Sequence, residues 1–245
     1  MILKKIVAPY YLFTLLIHCF FLGMEWTLAS KFTKPLLMPM LLYFLYPIFK
    51  GISGKMAFIP KTDEEGNILS TRPISTTIIL VAFVASWAGD IFLMFNGQGF
   101  FMAGMLSFMI AHISYSYLFN QIQPHSQKNV LIPLLLGAFV LHLGTDIMDV
   151  IRPNLGDLIM PVYVYMIVIT IMSVFAFKTM VVADTKYWGM HFFGVGAIFF
   201  VISDMILAVN IFAFKESFLG IWVMATYGIA QYLIAKGFHS YILRK

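Results

Sequence analysis

The sequence predicts an all-α membrane protein, a bundle of about eight transmembrane helices in one domain over residues 1–245 with both termini in the cytoplasm. Three observations predict it. Hydrophobic residues make up 61% of the chain and charged residues 11%, at a mean hydropathy of +0.89, whereas about a quarter of a soluble domain is charged. The apolar residues come in runs long enough to cross roughly 30 Å of hydrocarbon. The basic residues fall between those runs and divide unequally between the two sides.

The first run, 6–29, follows Lys4 and Lys5 and is longer than a signal-peptide core, so it reads as an uncleaved span. Cys19 lies inside it and is the only cysteine, which excludes an intramolecular disulfide. The second, 35–50, is short and carries Pro35, Pro39 and Pro47, which predicts a kinked helix or one tucked among its neighbours. Lys34 opens it at the outer surface, either as a snorkelling anchor with Pro35 in the first turn or as a ligand for phosphate. The stretch 50–73 is too short and polar for a soluble domain and reads as a solvated connector. Further spans follow at 74–95, 99–119, 130–147, 158–178, 188–212 and 217–237.

With the N-terminus inside, the inside segments hold Lys4, Lys5, Lys50, Lys55, Lys61, Arg72, Lys128, Lys178, Lys186, Lys236, Arg244 and Lys245. Only Lys31, Lys34, Arg152 and Lys215 lie outside, and an even number of spans returns the C-terminus to the cytoplasm. The protein is thus expected to be an integral, multi-pass membrane protein, of the inner membrane if its source is bacterial. The net charge of +5 is scattered between apolar runs rather than gathered in a stripe, so no nucleic-acid partner is expected.

Two carboxylates interrupt these runs: Asp90 in "SWAGDIFLMF" (86–95) and Asp204 in "FFVISDMILAVN" (199–210). Both lie a turn or two inside the outer edge. An ionised carboxylate facing lipid there costs kilocalories, so both are expected to face the bundle interior. A shift of 114 residues lays Asp90, Leu93 and Asn96 on Asp204, Leu207 and Asn210, which marks two similar segments on helices of the same direction. Other polar residues converge on the same layer. Phe108, His112 and Tyr115 share one face of the fourth helix, Tyr227 and Gln231 one face of the eighth. On the sixth, "PVYVYM" (161–166) gives Tyr163 to the interfacial aromatic belt and turns Tyr165 to another side. A helix-bridging hydrogen bond is the alternative reading for His112.

"KPLLMP" at 34–39, "SWAGDIFLM" at 86–94, "FMIAHISY" at 108–115, "PVYVYM" at 161–166, "GAIFFVISD" at 196–204 and the Tyr227–Gln231 pair run in one order over nearly the whole chain. In that ordered set the chain resembles the YhhN-like lysoplasmalogenase family of polytopic membrane proteins. The resemblance implies cleavage of the vinyl-ether bond of lysoplasmalogens to a fatty aldehyde and a glycerophospho-alcohol. It implies a lysophospholipid substrate met in the bilayer, with no cofactor. The acidic stretch "TDIMDVIRPNLGD" at 145–157 matches no motif of the family.

Vinyl-ether hydrolysis begins by protonating the alkene carbon, which creates an oxocarbenium ion that water captures. One protonated and one ionised carboxyl suit that task, as in glycoside hydrolysis. Asp90 and Asp204 are the expected pair, with acid and base unassigned between them, and His112 completes the catalytic set. Tyr115, Tyr165, Tyr227 and Gln231 are the expected substrate-orienting residues, with Lys34 on the phosphate. Three rival readings use the same residues. A metal hydrolase would bind through Asp90, Asp204 and His112, yet no HxxxH or HExxH spacing exists and His142 and His191 lie on other helices, so no metal site is expected. A proton-coupled transporter also wants buried carboxylates. A non-catalytic lipid-binding protein is the third.

Overall fold

A computed structural model describes residues 2–51, 56–62, 68–123 and 130–243, with side chains from 7–50, 74–123 and 130–243. Of the basic residues counted above, Lys55, Lys128, Arg244 and Lys245 lie outside the described residues, as do the side chains of Lys4, Lys5, Lys61 and Arg72.

Among the described residues eight helices form the bundle: α1 (Ile2–Gly23), α2 (Thr27–Gly51), α3 (Thr76–Phe92), α4 (Gln98–Ile122), α5 (Leu131–Ile151), α6 (Ile159–Val181), α7 (Lys186–Phe214) and α8 (Ser217–Ile242). Six are long and apolar enough to cross a membrane, and α1 from Val7 and α3 are shorter apolar helices. The protein is an integral, multi-pass membrane protein. Consecutive helices pack in pairs, α1 on α2, α3 on α4, α5 on α6 and α7 on α8. The connections within these pairs are a few residues long, so the partners run antiparallel. Each of the four turns holds one residue of positive φ: Glu25 (56°), Gly97 (117°), Gly156 (52°) and Lys215 (58°). Lys215, left-handed just past the last turn of α7, donates its amide to the Asn210 carbonyl at 2.8 Å and reverses the chain, whereas Gly97 precedes α4 as its N-cap.

Three spans differ in their limits from expectation. The first apolar run does not continue to 29, because Glu25 breaks it: the amides of Met24, Glu25 and Trp26 close on Phe20, Leu22 and Phe21 carbonyls and α2 starts at Thr27. The second helix is therefore not a short one opened by Lys34. It runs for 25 residues with all three prolines inside, and Lys31, Lys34 and Pro35 sit on its body rather than in a loop or first turn. Neighbouring helices re-satisfy the backbone near such prolines, and Trp87 Nε1 on α3 donates to the Pro35 carbonyl at 2.9 Å. The third span is also shorter than expected, since residues 74–75 belong to a strand and 93–95 to a turn.

The expected solvated connector instead contains an antiparallel hairpin, β1 (Met56–Thr62) and β2 (Ile68–Ser75), paired from Met56↔Ser75 to Thr62↔Ile68. Two strands have only edges, which is where Pro60 and Pro73 are tolerated. β2 runs straight into α3. Ser75 Oγ accepts from the Ile78 amide at 3.3 Å as an N-cap, and the Ser75 amide donates to Gln121 Oε1 on α4 at 3.1 Å.

The main core joins Leu37, Met38 and Leu41 of α2, Phe83 of α3, Phe119 of α4, Phe193 and Phe200 of α7 and Phe238 of α8. A smaller cluster around Met148, Ile151, Leu155 and Leu158 seals the α5–α6 turn. There "TDIMDVIRPNLGD" ends α5 and makes two 3₁₀ turns, held by Asn154 Nδ2 donating to the Phe212 carbonyl at 2.7 Å.

Candidate functional site

Hydrogen bonds sort the expected polar residues into three groups. In the first, Tyr165 on α6 donates its hydroxyl to Asp204 Oδ2 on α7 at 2.5 Å. Its oxygen therefore accepts from His112 Nε2 on α4, 2.9 Å away, which also lies 3.4 Å from Asp204 Oδ2. His112 is fully buried, packed edge-on against Phe200 at 4.6 Å between centroids, and its Nδ1 has no partner. Side chains of two helices thus hold the carboxylate of a third. Asp204 is 13% exposed.

The second group surrounds Asp90 on α3. It is 2% exposed, and Tyr227 on α8 donates to its Oδ2 at 2.8 Å. Lys34 interacts with it electrostatically from α2. Tyr11 on α1 ties the neighbouring backbone by donating to the Gly228 carbonyl at 2.9 Å. The third group is a relay of neutral side chains. Tyr115 donates to Gln231 Oε1 at 2.7 Å and Gln231 Nε2 donates to Ser86 Oγ at 3.0 Å. All three are buried.

No hydrogen bond or ion pair joins Asp90 to Asp204 among the described residues. Aromatic rings lie between their groups: Phe108 and Phe200 pack edge-on to Tyr227 at 5.7 and 5.5 Å, and Phe200 also packs on His112. The two aspartates also sit differently along their helices. Asp90 is in the last turn of α3, whereas α7 continues past Asp204 through a π-helical segment, Asn210–Phe214. Such segments recur at functional sites.

Two cavities reach residues of these groups. One, of about 100 Å³, is lined by Phe101, Met105, Val140, Ile147 and further apolar side chains, with Asp204, Tyr165 and Thr170 as its polar wall. The other, of about 270 Å³, gathers His18, Ser30, Lys31, Lys34 and Asn210. Leu207 lines both, while Leu93 faces the first and Met94 the second. Those are the residues one turn beyond the two aspartates. An apolar chamber touching a charged one through a single side chain has the shape of an amphiphile: chain on one side, headgroup on the other.

Of the expected residues, Asp204 and Tyr165 reach the apolar cavity and Lys34 the polar one. His112 acts behind Tyr165, while Asp90, Tyr115, Tyr227 and Gln231 line neither cavity. Sequence reasoning missed His18, a single histidine in an apolar run, and underused Asn210, which the 114-residue shift aligns with Asn96. Among the described residues no group of three His, Cys, Asp or Glu side chains is placed to hold a metal ion.

The YhhN family matches residues 29–238. Lysoplasmalogenase TMEM86A of Homo sapiens is 33% identical over 162 residues, 66% of this chain and 65% of the human protein. Lysoplasmalogenase TMEM86A of Bos taurus is 32% identical over 169 residues, 68% of this chain and 67% of its own. The chain therefore matches just under two thirds of the human relative's length. No solved structure matches it.

Proposed function

This chain belongs to the YhhN family, and on that premise we propose that it hydrolyses the vinyl-ether bond of lysoplasmalogens, releasing a fatty aldehyde and a glycerophospho-alcohol. One observation carries the reading: an apolar cavity whose wall is broken by a carboxyl group, Asp204, that Tyr165 and His112 orient. The relatives named lysoplasmalogenase support the same substrate.

The alkenyl chain occupies the apolar cavity and the phosphate meets Lys34 in the polar one, so the ether oxygen lies near Leu207. Asp204, protonated, gives its proton to the alkene carbon remote from the ether oxygen. The π electrons form the new C–H bond and leave an oxocarbenium ion beside the carboxylate. Water adds to the cationic carbon and returns a proton to Asp204. The hemiacetal then collapses: the C–O bond to the glycerol side breaks, Asp204 protonates the departing oxygen, and the hemiacetal hydroxyl passes its proton back as the aldehyde forms. Tyr165, bonded to Oδ2, fixes the carboxyl so that Oδ1 faces the chain, and His112 fixes Tyr165. Asp90 is the second carboxyl of the mechanism. From behind Tyr227 its charge offsets the developing cation and holds Lys34.

Purified protein in detergent, without any gradient, is incubated with lysoplasmalogen and a chelator, and the lipids are read by mass spectrometry. Free aldehyde is expected at an undiminished rate. Lipid recovered unchanged sinks the hydrolase in favour of a transporter or binding protein, and loss of turnover restored by zinc reassigns the carboxylates as ligands. We place the cavities at the outer face. A cysteine at Gly97 in a Cys19→Ser background is expected to react with an impermeant reagent on intact cells, and its protection there inverts the topology.

A further inference from the structure

The polar cavity contains a buried histidine that neither phosphate binding nor the proton chemistry uses. His18, on α1, is 1% exposed and lines the cavity, and its Nε2 has no hydrogen-bond partner. Its tautomer follows from its neighbour. Thr33 Oγ1 lies 3.1 Å from the Ala29 carbonyl and 3.3 Å from that of Ser30 and donates its proton there, so it accepts from His18 Nδ1 at 2.7 Å. Nδ1 therefore carries the hydrogen, and in the neutral ring Nε2 presents a bare lone pair. A buried acceptor left unpaired is destabilising, and a ligand bearing an O–H relieves it.

The other polar groups of this cavity have the opposite character. Lys31 and Lys34 are donors, and Asn210 uses its Oδ1 to accept from the Glu216 amide at 2.8 Å, so its Nδ2 hydrogens remain. The cavity thus offers cationic and amide donors together with a fixed, unpaired acceptor. Its complement is a phosphate anion with a hydroxyl donor a few bonds away.

We propose that His18 Nε2 accepts the free glycerol 2-hydroxyl of the lysolipid and so makes the protein specific for the lyso form. This rests on the proposed lysolipid substrate and adds the means of its selection. A plasmalogen acylated at that carbon has no proton to give and leaves Nε2 unpaired, and sites built to bond a hydroxyl discriminate strongly against analogues lacking it. His18 would be a specificity residue in direct contact with substrate, remote from the proton transfers at Asp204.

Binding is measured with a saturated 1-O-alkyl lysophospholipid, which has no vinyl ether to cleave, and with its 2-deoxy analogue. Wild-type protein is expected to bind the hydroxyl form at least tenfold more tightly, and His18→Phe to reduce that ratio to about one. Two further variants guard against misfolding. His18→Asn keeps an amide at the Nδ1 position for Thr33 but has nothing at Nε2 and is expected to lose the preference. His18→Gln places an amide oxygen near Nε2 and is expected to restore part of it. Equal binding of the two lipids by folded wild-type protein overturns the proposal, as does a preference that survives in folded His18→Asn. Displacement of the lipid by glycerol 3-phosphate alone at the lipid's own concentration range would also overturn it, by making the soluble ester the ligand. If the hydroxyl preference holds while no aldehyde is ever released, the inference stands and the hydrolase reading falls.

Discussion

Asp90 and Asp204 open the same short pattern, aspartate then leucine then asparagine at intervals of three, which runs off the end of α3 but stays helical on α7. Their surroundings are opposite in kind. Asp90 is sealed at 2% exposure behind Tyr227, with Lys34 acting on it across the α2–α3 contact. Asp204 is 13% exposed, bonded by Tyr165 and backed by His112, and forms part of a cavity wall. A repeated local pattern therefore fixes which residues accompany a carboxyl, while the neighbouring helices decide whether it meets a cavity or only protein. The leucines show the same split: Leu93 faces the apolar cavity alone, and Leu207 stands between both.

The largest expected effect tests whether that difference is chemical. Asp204→Asn keeps size and hydrogen bonding but removes proton exchange, and is expected to lower kcat by about a hundredfold or more, the scale of general acid–base catalysis. Asp90→Asn is expected to lower turnover about tenfold, with part of the loss in KM through Lys34. Aldehyde release and thermal unfolding in detergent read both. The double variant is expected to be little worse than Asp204→Asn, because without the first proton transfer there is no cation for Asp90 to offset. Equal losses from the two single changes would break the comparison and return both carboxyls to equivalent acid and base roles.

Tyr165→Phe sharpens it. The hydroxyl that joins His112 to Asp204 disappears while the ring remains, and kcat is expected to fall roughly tenfold to a hundredfold, the equivalent of about 1.5–3 kcal/mol for a hydrogen bond to a charged group. KM should stay near its normal value, since the cavity keeps its shape. A change confined to KM would make Tyr165 a chain-packing residue.

How much of this was legible in the sequence depends on the kind of signal. The helices, their number and the carboxylates among them were readable, because a membrane leaves few places for an aspartate and makes each one conspicuous. His112 and Tyr165 were readable as polar side chains in apolar runs, although their union with Asp204 spans three helices and has no local trace. The position of the α1–α2 break was not readable: "LGMEWTLAS" stays largely apolar, and the stop is a glutamate in a left-handed conformation rather than a glycine. That displaced boundary hides Lys31 as a loop residue, whereas Lys34, legible as a phosphate ligand, lines the polar cavity from the body of α2 rather than from its opening. His18 was hidden for a related reason, as its partner Thr33 lies across the same turn. The hairpin was obscured by Pro60 and Pro73, which read as loop residues although an isolated pair of edge strands accepts them.

The smallest expected effect on turnover tests the scaffold beside Asp90. Ser86 lies one turn before it on α3, and its Oγ accepts from Gln231 Nε2, whose amide oxygen holds the Tyr115 hydroxyl. None of the three lines either cavity. Ser86→Ala leaves a buried amide hydrogen without an acceptor, which costs about 1–3 kcal/mol, so the unfolding temperature in detergent should drop measurably. Turnover at a temperature where the variant is folded should stay within about twofold of normal, because breaking a bond remote from the reacting atoms removes no transition-state interaction. Folded Ser86→Ala protein that has lost most of its kcat would instead connect the Tyr115–Gln231 relay to the chemistry. The Asp90 side of the bundle would then be a second reacting region rather than the support of the first.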